Sequence, residues 1–332
     1  FVKHFEDYAA ALVEHYVPAP ASLAIDIGSN DGTLLGFLKA AGLQVLGIDP
    51  ARDIAAKATE NGIETLPEFF TPALAERIKT ERGAATIITA NNVFAHADDL
   101  ISIVEGIREL LAPDGVFSFE VSYLVDVIEN TLFDTIYHEH LSYHAIGPLV
   151  RFFAANGMTL IEAERIDTHG GSIRGIVQLA TAKRPVGASV AEALSIEAEL
   201  GLDREESYQA FSNQIDALQV ELTELLANLK SQGKSVAGFG APAKATTLMY
   251  HFGLDPDSLD FIVDDSPLKQ GLFTPGLHVP VLPSSEIQRR KPDYLLLLAW
   301  NFAEPIMRNN AAFVEGGGKF IIPVPNVEVC PA

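Results

Sequence analysis

Apolar positions along the chain change period repeatedly, and the changes mark its elements. Over Phe1–Val17 the apolar side chains Phe5, Ala9, Leu12, Val13 and Tyr16 fall at helical spacing, and Pro18 and Pro20 end that pattern. Leu23–Ile27 is a short buried strand. It leads through Gly28-Ser-Asn30-Asp31-Gly32 into a helix carrying Leu34, Leu35, Phe37 and Leu38, which Gly42 closes. Strands are then predicted over Gln44–Asp49, Ala85–Ala90 and Gly115–Val121, with a helix over Leu100–Leu111. Strands alternating with helices of this length imply a parallel sheet with right-handed crossovers. Thr159–Ile166 and Ile173–Ala180 are separated only by the polar turn Asp167-Thr-His-Gly-Gly171, so a hairpin brings an antiparallel strand to the end of the sheet.

A long amphipathic helix follows, with Phe211, Ile215, Leu218, Leu222, Leu225 and Leu229 as its stripe and Gly233 at its end. A second βα alternation begins with a strand over Ser235–Phe239, a turn over Gly240–Lys244 and a helix over Thr246–Phe252. Strands over Leu259–Val263, Tyr294–Ala299 and Lys319–Ile322 complete it. The expected domains are 1–183, a helical connector over 184–233, and 234–332.

Composition narrows the chemistry. The 332 residues carry 23 Lys and Arg against 44 Asp and Glu, a net charge of −21. So acidic a surface disfavours nucleic acid and anionic membranes as partners. The apolar run Tyr294–Trp300 is far too short to span a bilayer. The single cysteine, Cys330, excludes a disulfide framework or a cysteine zinc site within this chain and fits a cytoplasmic protein.

The first glycine turn points to a ligand. It follows a strand and opens a helix, so backbone can approach a bound group closely at an electropositive terminus. Its spacing is not that of a dinucleotide or P-loop turn, and Asp26 and Asp31 would repel a pyrophosphate. Carboxylates there suit a free amine, and Asp49, ending the next strand, is placed to accept from ribose hydroxyls. Ribose, amino acid and sulfonium together describe S-adenosylmethionine. Asp26, Gly28, Asn30, Asp31, Gly32 and Asp49 are its expected contacts. Phe69 is placed to cover the adenine, and Asn91 and Asn92 lie at the carboxyl end of the sheet.

A second cluster, Phe133-Asp-Thr-Ile-Tyr137-His138-Glu139-His140-Leu-Ser-Tyr143-His144, admits metal binding or acid–base chemistry beside the cofactor. With it, the segments IDIGSNDGTLL, NNVFAHADDL, GGSIR, GFGAPAKATTL and VDDSPLKQG are recognisable. Taken in order, they resemble the S-adenosylmethionine-dependent C-methyltransferases of nucleotide-linked deoxysugars, the family of the tetronitrose and mycarose C-3 methyltransferases. The resemblance covers nearly the whole chain. It implies a class I methyltransferase Rossmann-like domain followed by a second Rossmann-like domain holding the nucleotide, with a dTDP-linked keto-deoxysugar as substrate. The family's catalytic positions match Tyr137, Glu139 and His140, with His96 from NVFAH close by, and the residue matching His140 is the general base.

Chemistry supports that set of roles. Carbon methylation needs a carbanion-like carbon, which an imidazole can generate beside a ketone. Tyr137 or His96 can stabilise the enolate oxygen, and Glu139 can orient a histidine or contact a sugar hydroxyl. Methyl transfer then needs positioning and no metal. For the diphosphate, the Gly240 turn with Lys244 and Thr246 is the expected cradle, and Arg174 and Lys269 are further cations in matching segments.

Two departures stand out. His144 occupies a position where the family has an aromatic residue. Family members also carry a cysteine-rich zinc module ahead of FVKHFEDYAA, so that module, missing or separate, is an implied partner. O- or N-methylation, C-methylation of a non-sugar ketone, an NAD-linked oxidoreductase using GFGAPAK, and a silent scaffold are the competing readings.

Overall fold

The computed structural model describes every residue except Phe1, Val17, Pro18, His169, Pro331 and Ala332. The ends of the first predicted helix and one residue of the hairpin turn therefore lie outside the described residues. The chain divides into two compact units, Phe1–Val125 with Leu141–Leu200, and Asp126–His140 with Gly201–Ala332. Against the bounds drawn on the sequence, 184–200 counts with the first unit, and 126–140 and 201–233 with the second.

The first unit is built on a seven-stranded sheet. Its strands are β1 Leu23–Ile27, β2 Gln44–Ile48, β3 Thr65–Leu66, β4 Ala85–Asn91, β5 Leu111–Ser122, β6 Met158–Ile166 and β7 Ser172–Leu179. Their spatial order is β3-β2-β1-β4-β5-β7-β6. Every residue of β1 is buried, because β1 pairs in parallel with β2 on one side and β4 on the other. That is why LAIDI reads as an apolar run broken only by Asp26 rather than as an alternation. The strand order reverses at β1 and β4, and in parallel sheets the crevice at such a point receives ligands. The expected hairpin is present, with β7 antiparallel to both β5 and β6. Strand β5 starts at Leu111 rather than Gly115, because Leu111 pairs with Ala85 across a register shift that carries the exposed Pro113 and Asp114.

The second unit holds a six-stranded sheet of β8 Val236–Phe239, β9 Ile262–Asp264, β10 Val281–Pro283, β11 Tyr294–Leu297, β12 Lys319–Ile322 and β13 Glu328–Cys330. Its order is β10-β9-β8-β11-β12-β13, parallel except for β13. The order reverses at β8 and β11, so this sheet is Rossmann-like as well. The long helix runs Glu205–Ser231 and buries Ile215, Leu218, Leu222, Leu226 and Leu229. Leu226, not Leu225, faces the core. Two adjacent leucines fit either phase of the stripe, and packing on β8 and the Ala243–Phe252 helix decides between them.

Candidate active site

The turn after β1 is shaped by its glycines. Gly28 has φ +72°, and a Cβ there would sit 2.7 Å from Val93 Cγ2. Gly32 has φ +78°, and a Cβ would sit 2.8 Å from Ile63 Cγ2. Both positions combine a left-handed backbone with close packing, so a side chain is excluded twice over. The Gly28 amide donates to the Ile48 carbonyl at 2.8 Å. The Asn30 amide donates to Asp49 Oδ2 at 2.9 Å, and Asp49 Oδ1 accepts from Ala51 N–H at 2.9 Å. Asp31 accepts from the backbone N–H and hydroxyl of Thr33, at 3.0 and 2.7 Å, closing the start of the Thr33–Ala40 helix.

Asp26 lies beneath this turn and is 4% exposed. Burial pushes its carboxyl up to about 7, opposed by the Thr89 hydroxyl, which donates to Asp26 Oδ1 at 2.6 Å. A cavity of about 490 Å³ opens over the turn. Of the expected cofactor residues, Asp26, Gly28, Asn30, Asp31, Asn91 and Asn92 line it, joined by Val2 and Phe5 from the first helix, Val2–Tyr16. Gly32 shapes the turn, Asp49 braces it from behind, and the Phe69 side chain is exposed at the surface. Ser29 Oγ and Asn91 Oδ1 are buried beside the cavity without a hydrogen-bond partner. Buried polar atoms are rarely left this way, and these two fit a polar ligand that completes them. The carboxylates, backbone amides and side-chain amides around the cavity are a donor and acceptor set that suits S-adenosylmethionine.

The second unit repeats the arrangement around its own glycine turn. The Gly240 amide donates to the Val263 carbonyl at 2.7 Å, and the Ala241 amide donates to Asp264 Oδ2 at 2.7 Å. Asp264 Oδ1 accepts from Ser266 N–H at 2.8 Å. Asp264 therefore stands to β9 and Gly240 as Asp49 stands to β2 and Gly28. Its carboxyl is held below the usual range, where the Ala241 and Ser266 amides and Lys269 outweigh burial. Gly240 has φ +89° and would bring a Cβ within 2.5 Å of Ala299 Cβ. A smaller cavity of about 180 Å³ brings Ala241, Thr246, Lys269 and Phe273 together.

The other two predicted cations are engaged elsewhere. Lys244 is directed at Asp134, 3.5 Å from Oδ2. Arg174 belongs to the first unit, where it pairs with buried Glu120 through Nε at 2.7 Å and lies 3.8 Å over the Tyr8 ring.

The histidine cluster is divided at His140. Within the second unit, the His140 and Tyr137 rings lie 4.4 Å apart, and His140 Nδ1 is 2.7 Å from the Thr135 carbonyl. A carbonyl only accepts, so Nδ1 carries the hydrogen and Nε2 is the nitrogen with the lone pair. The Tyr137 phenol is raised by burial and by the carboxylates of Glu139 and Asp134, so it is a neutral donor at ordinary pH. Glu139 is exposed. Within the first unit, His96 is exposed on the turn Phe94–His96, and Leu141 N–H donates to the Ala95 carbonyl beside it at 2.7 Å. His144 is buried, with Nε2 3.1 Å from Ser142 Oγ, and burial lowers its pKa, so it is a neutral core partner.

Sequence reasoning missed Asp264, Asp134 and Trp300. Asp264 had a visible signal, since Phe261-Ile-Val-Asp264 ends a strand in an acid as Gly47-Ile-Asp49 does. The Trp300 indole N–H donates to Asp134 Oδ2 at 2.6 Å across 166 residues, and no local pattern announces that pair.

Both halves of the chain are similar to known methyltransferase families. Residues 3–163 match the methyltransferase domain family and residues 167–325 match the C-methyltransferase C-terminal domain family. C-methyltransferase NovU of Streptomyces niveus is 38% identical over 331 residues, spanning 100% of this chain and 79% of that protein. Ubiquinone biosynthesis O-methyltransferase of Burkholderia thailandensis is 25% identical over 47% of this chain and 73% of its own. Among solved structures, magnesium protoporphyrin IX methyltransferase of Synechocystis PCC 6803 with bound SAM aligns at 14% identity, over 53% of this chain and 78% of that one, with a TM-score of 0.40. With NovU related along the whole of this chain and 79% of its own length, and the two family domains in tandem, the chain belongs to the S-adenosylmethionine-dependent C-methyltransferases.

Proposed function

We propose that the chain methylates a ring carbon of a nucleotide-linked keto-deoxysugar, with dTDP as the nucleotide. The observation that carries this reading is the repeat of the acid-braced glycine turn in the second unit. Asp264 and Gly240 reproduce there what Asp49 and Gly28 provide for the ribose of the cofactor, so a second nucleoside sugar is the matching ligand. Lys269, 3.3 Å from Asp264 and lining the same small cavity as Thr246, supplies the cation that a diphosphate requires on a chain of net charge −21. Phe273, exposed at the rim of that cavity, offers a face for the base.

In this reading His140 Nε2 removes the proton from the carbon beside the ketone. The C–H electrons pass into an enolate whose oxygen the Tyr137 hydroxyl stabilises. His96 is the alternative donor, and Glu139 contacts a sugar hydroxyl. S-adenosylmethionine supplies a methyl group already activated by its sulfonium. The enolate carbon takes that methyl as the S–CH₃ bond breaks, and the proton on His140 leaves to solvent. In this scheme 1–183 carries the cofactor and 234–332 the nucleotide, joined by 184–233, with the segment 126–140 that bears Tyr137 and His140 counted with the second unit.

Enolisation and transfer can be separated. His140→Asn is expected to lower both deuterium uptake into a dTDP-linked keto-deoxyhexose and methylation by ~10²–10⁴-fold, while both ligands still bind. Deuterium uptake at the wild-type rate would remove His140 as the base. Binding of NAD in place of S-adenosylmethionine would overturn the reading altogether.

A further inference from the structure

We propose that Lys244, Asp134 and Trp300 clamp the segment that carries Tyr137 and His140, which makes Lys244 a positioning residue for the chemistry and not a phosphate ligand. The inference rests on the acid–base reading of that segment. Two separated parts of the second unit converge on one carboxylate oxygen of a third: Lys244 Nζ at 3.5 Å and Trp300 Nε1 at 2.6 Å both face Asp134 Oδ2. The same ammonium lies 3.6 Å above the centroid of the Trp300 ring. Each member therefore touches the other two, and a shift of one breaks two contacts. The Asp134 side chain is 0% exposed and that of Lys244 only 14%. A carboxylate so enclosed is costly unless paired, and a lysine so enclosed is badly placed to meet a ligand's phosphate.

The clamp acts next to the catalytic groups. Asp134 is followed by Thr135, whose carbonyl takes the Nδ1 hydrogen of His140 at 2.7 Å. That bond selects the tautomer with its lone pair at Nε2. Phe133, on the other side of Asp134, stacks on Phe252 with ring centres 5.0 Å apart, fixing the same short turn from its apolar face. The position of the Thr135 carbonyl, and with it the proton on His140, follows from how Asp134 is held. Burial lowers Lys244 to about 8 and raises Asp134, and the attraction between the two opposes both shifts.

Trp300 is the chain's one tryptophan, so its emission reads the clamp directly. In wild type, raising the pH should change that emission through a transition near 8, as the ammonium on the indole face loses its proton. Among the described residues, the titratable groups on or next to the clamp are Lys244, Asp134, Tyr137, His140 and His251, which packs on Phe133. Lys244→Met should abolish the transition, and a transition that survives it overturns the clamp. With a dTDP-linked keto-deoxyhexose, Lys244→Met should lower kcat by ~10–100-fold and leave the sugar's KM within about twofold. Lys244→Met combined with Asp134→Asn removes both buried charges and should recover at least about tenfold of that loss. A raised KM at unchanged kcat, with no recovery in the double variant, would make Lys244 a ligand contact and sink the proposal. His140→Asn separates the two ideas. If it inactivates while Lys244→Met leaves kcat untouched, positioning fails and the base assignment stands; if His140→Asn is active, the base assignment itself fails.

Discussion

Asp26 is the residue whose environment most directly sets behaviour in solution. Its carboxyl has an ordinary value of 3.8 and rises to about 7 in the folded protein, chiefly through burial. Below pH 4 it is neutral in both states and burial carries no charge cost. Between about 4 and 7 the unfolded chain releases the proton while the folded protein keeps it, so this group's contribution to stability falls as pH rises, and above 7 the loss is complete. Asp26→Asn should therefore raise the melting temperature of the ligand-free protein at pH 8 by several degrees, at ~2–4 °C per kcal/mol for a unit of this size, and flatten its pH dependence. The same change should weaken S-adenosylmethionine binding at least tenfold by calorimetry; undiminished affinity would place the ligand's amine elsewhere. Asp49→Ala should cost ~1–3 kcal/mol of cofactor affinity, because it removes a charged acceptor and leaves the Asn30 and Ala51 amides without theirs. An equal loss of nucleotide-sugar affinity would mean that the turn had collapsed rather than lost one contact.

At the scale of elements, the first unit depends on one helix capping another. Glu197, on the Ala188–Leu200 helix, is 7% exposed. Its carboxylate accepts from the Tyr123 hydroxyl at 2.9 Å and from the amides of Ile146 and Gly147, the latter at 2.8 Å. The Ile146–Ala155 helix begins with Ala145, which has no side-chain acceptor, so Glu197 satisfies its first amides from outside. Glu197→Ala should destabilise the protein by ~2–4 kcal/mol, read as a lower urea midpoint at unchanged slope. A loss under about 1 kcal/mol would mean that water replaces the carboxylate. This contact spans 51 residues and was invisible in the sequence, whereas the elements it joins were partly legible. The run LAIDI announced β1 because a strand buried on both faces has no polar alternation to obscure it, and QVLGI announced β2 through its buried end Leu46–Ile48. The two-residue strand Thr65–Leu66 had too few positions to show a period, and the phase of the long helix was undecided wherever Leu225 and Leu226 stood side by side. The cofactor turn was legible because its signals are contiguous. The partners of Lys244 were not, because charge and burial meet there only after the chain has folded.

Across the whole molecule, the two acid-braced turns have a kinetic consequence. Each is complete within its own unit: Asp49 closes on Asn30 and Ala51, and Asp264 closes on Ala241 and Ser266. Neither arrangement waits for the other to fill before its amides and carboxylate are in place. The two substrates should therefore add in random order, with intersecting initial-rate lines and no obligatory first ligand. S-adenosylmethionine and dTDP should each protect a different part of the chain from heat, with ~2.7 kcal/mol available to either at a hundredfold excess over its dissociation constant. Strictly ordered addition, or one ligand protecting both parts alone, would contradict that independence. Where it holds, the acceptor can change in evolution through the second turn alone, while the methyl donor's berth stays as it is.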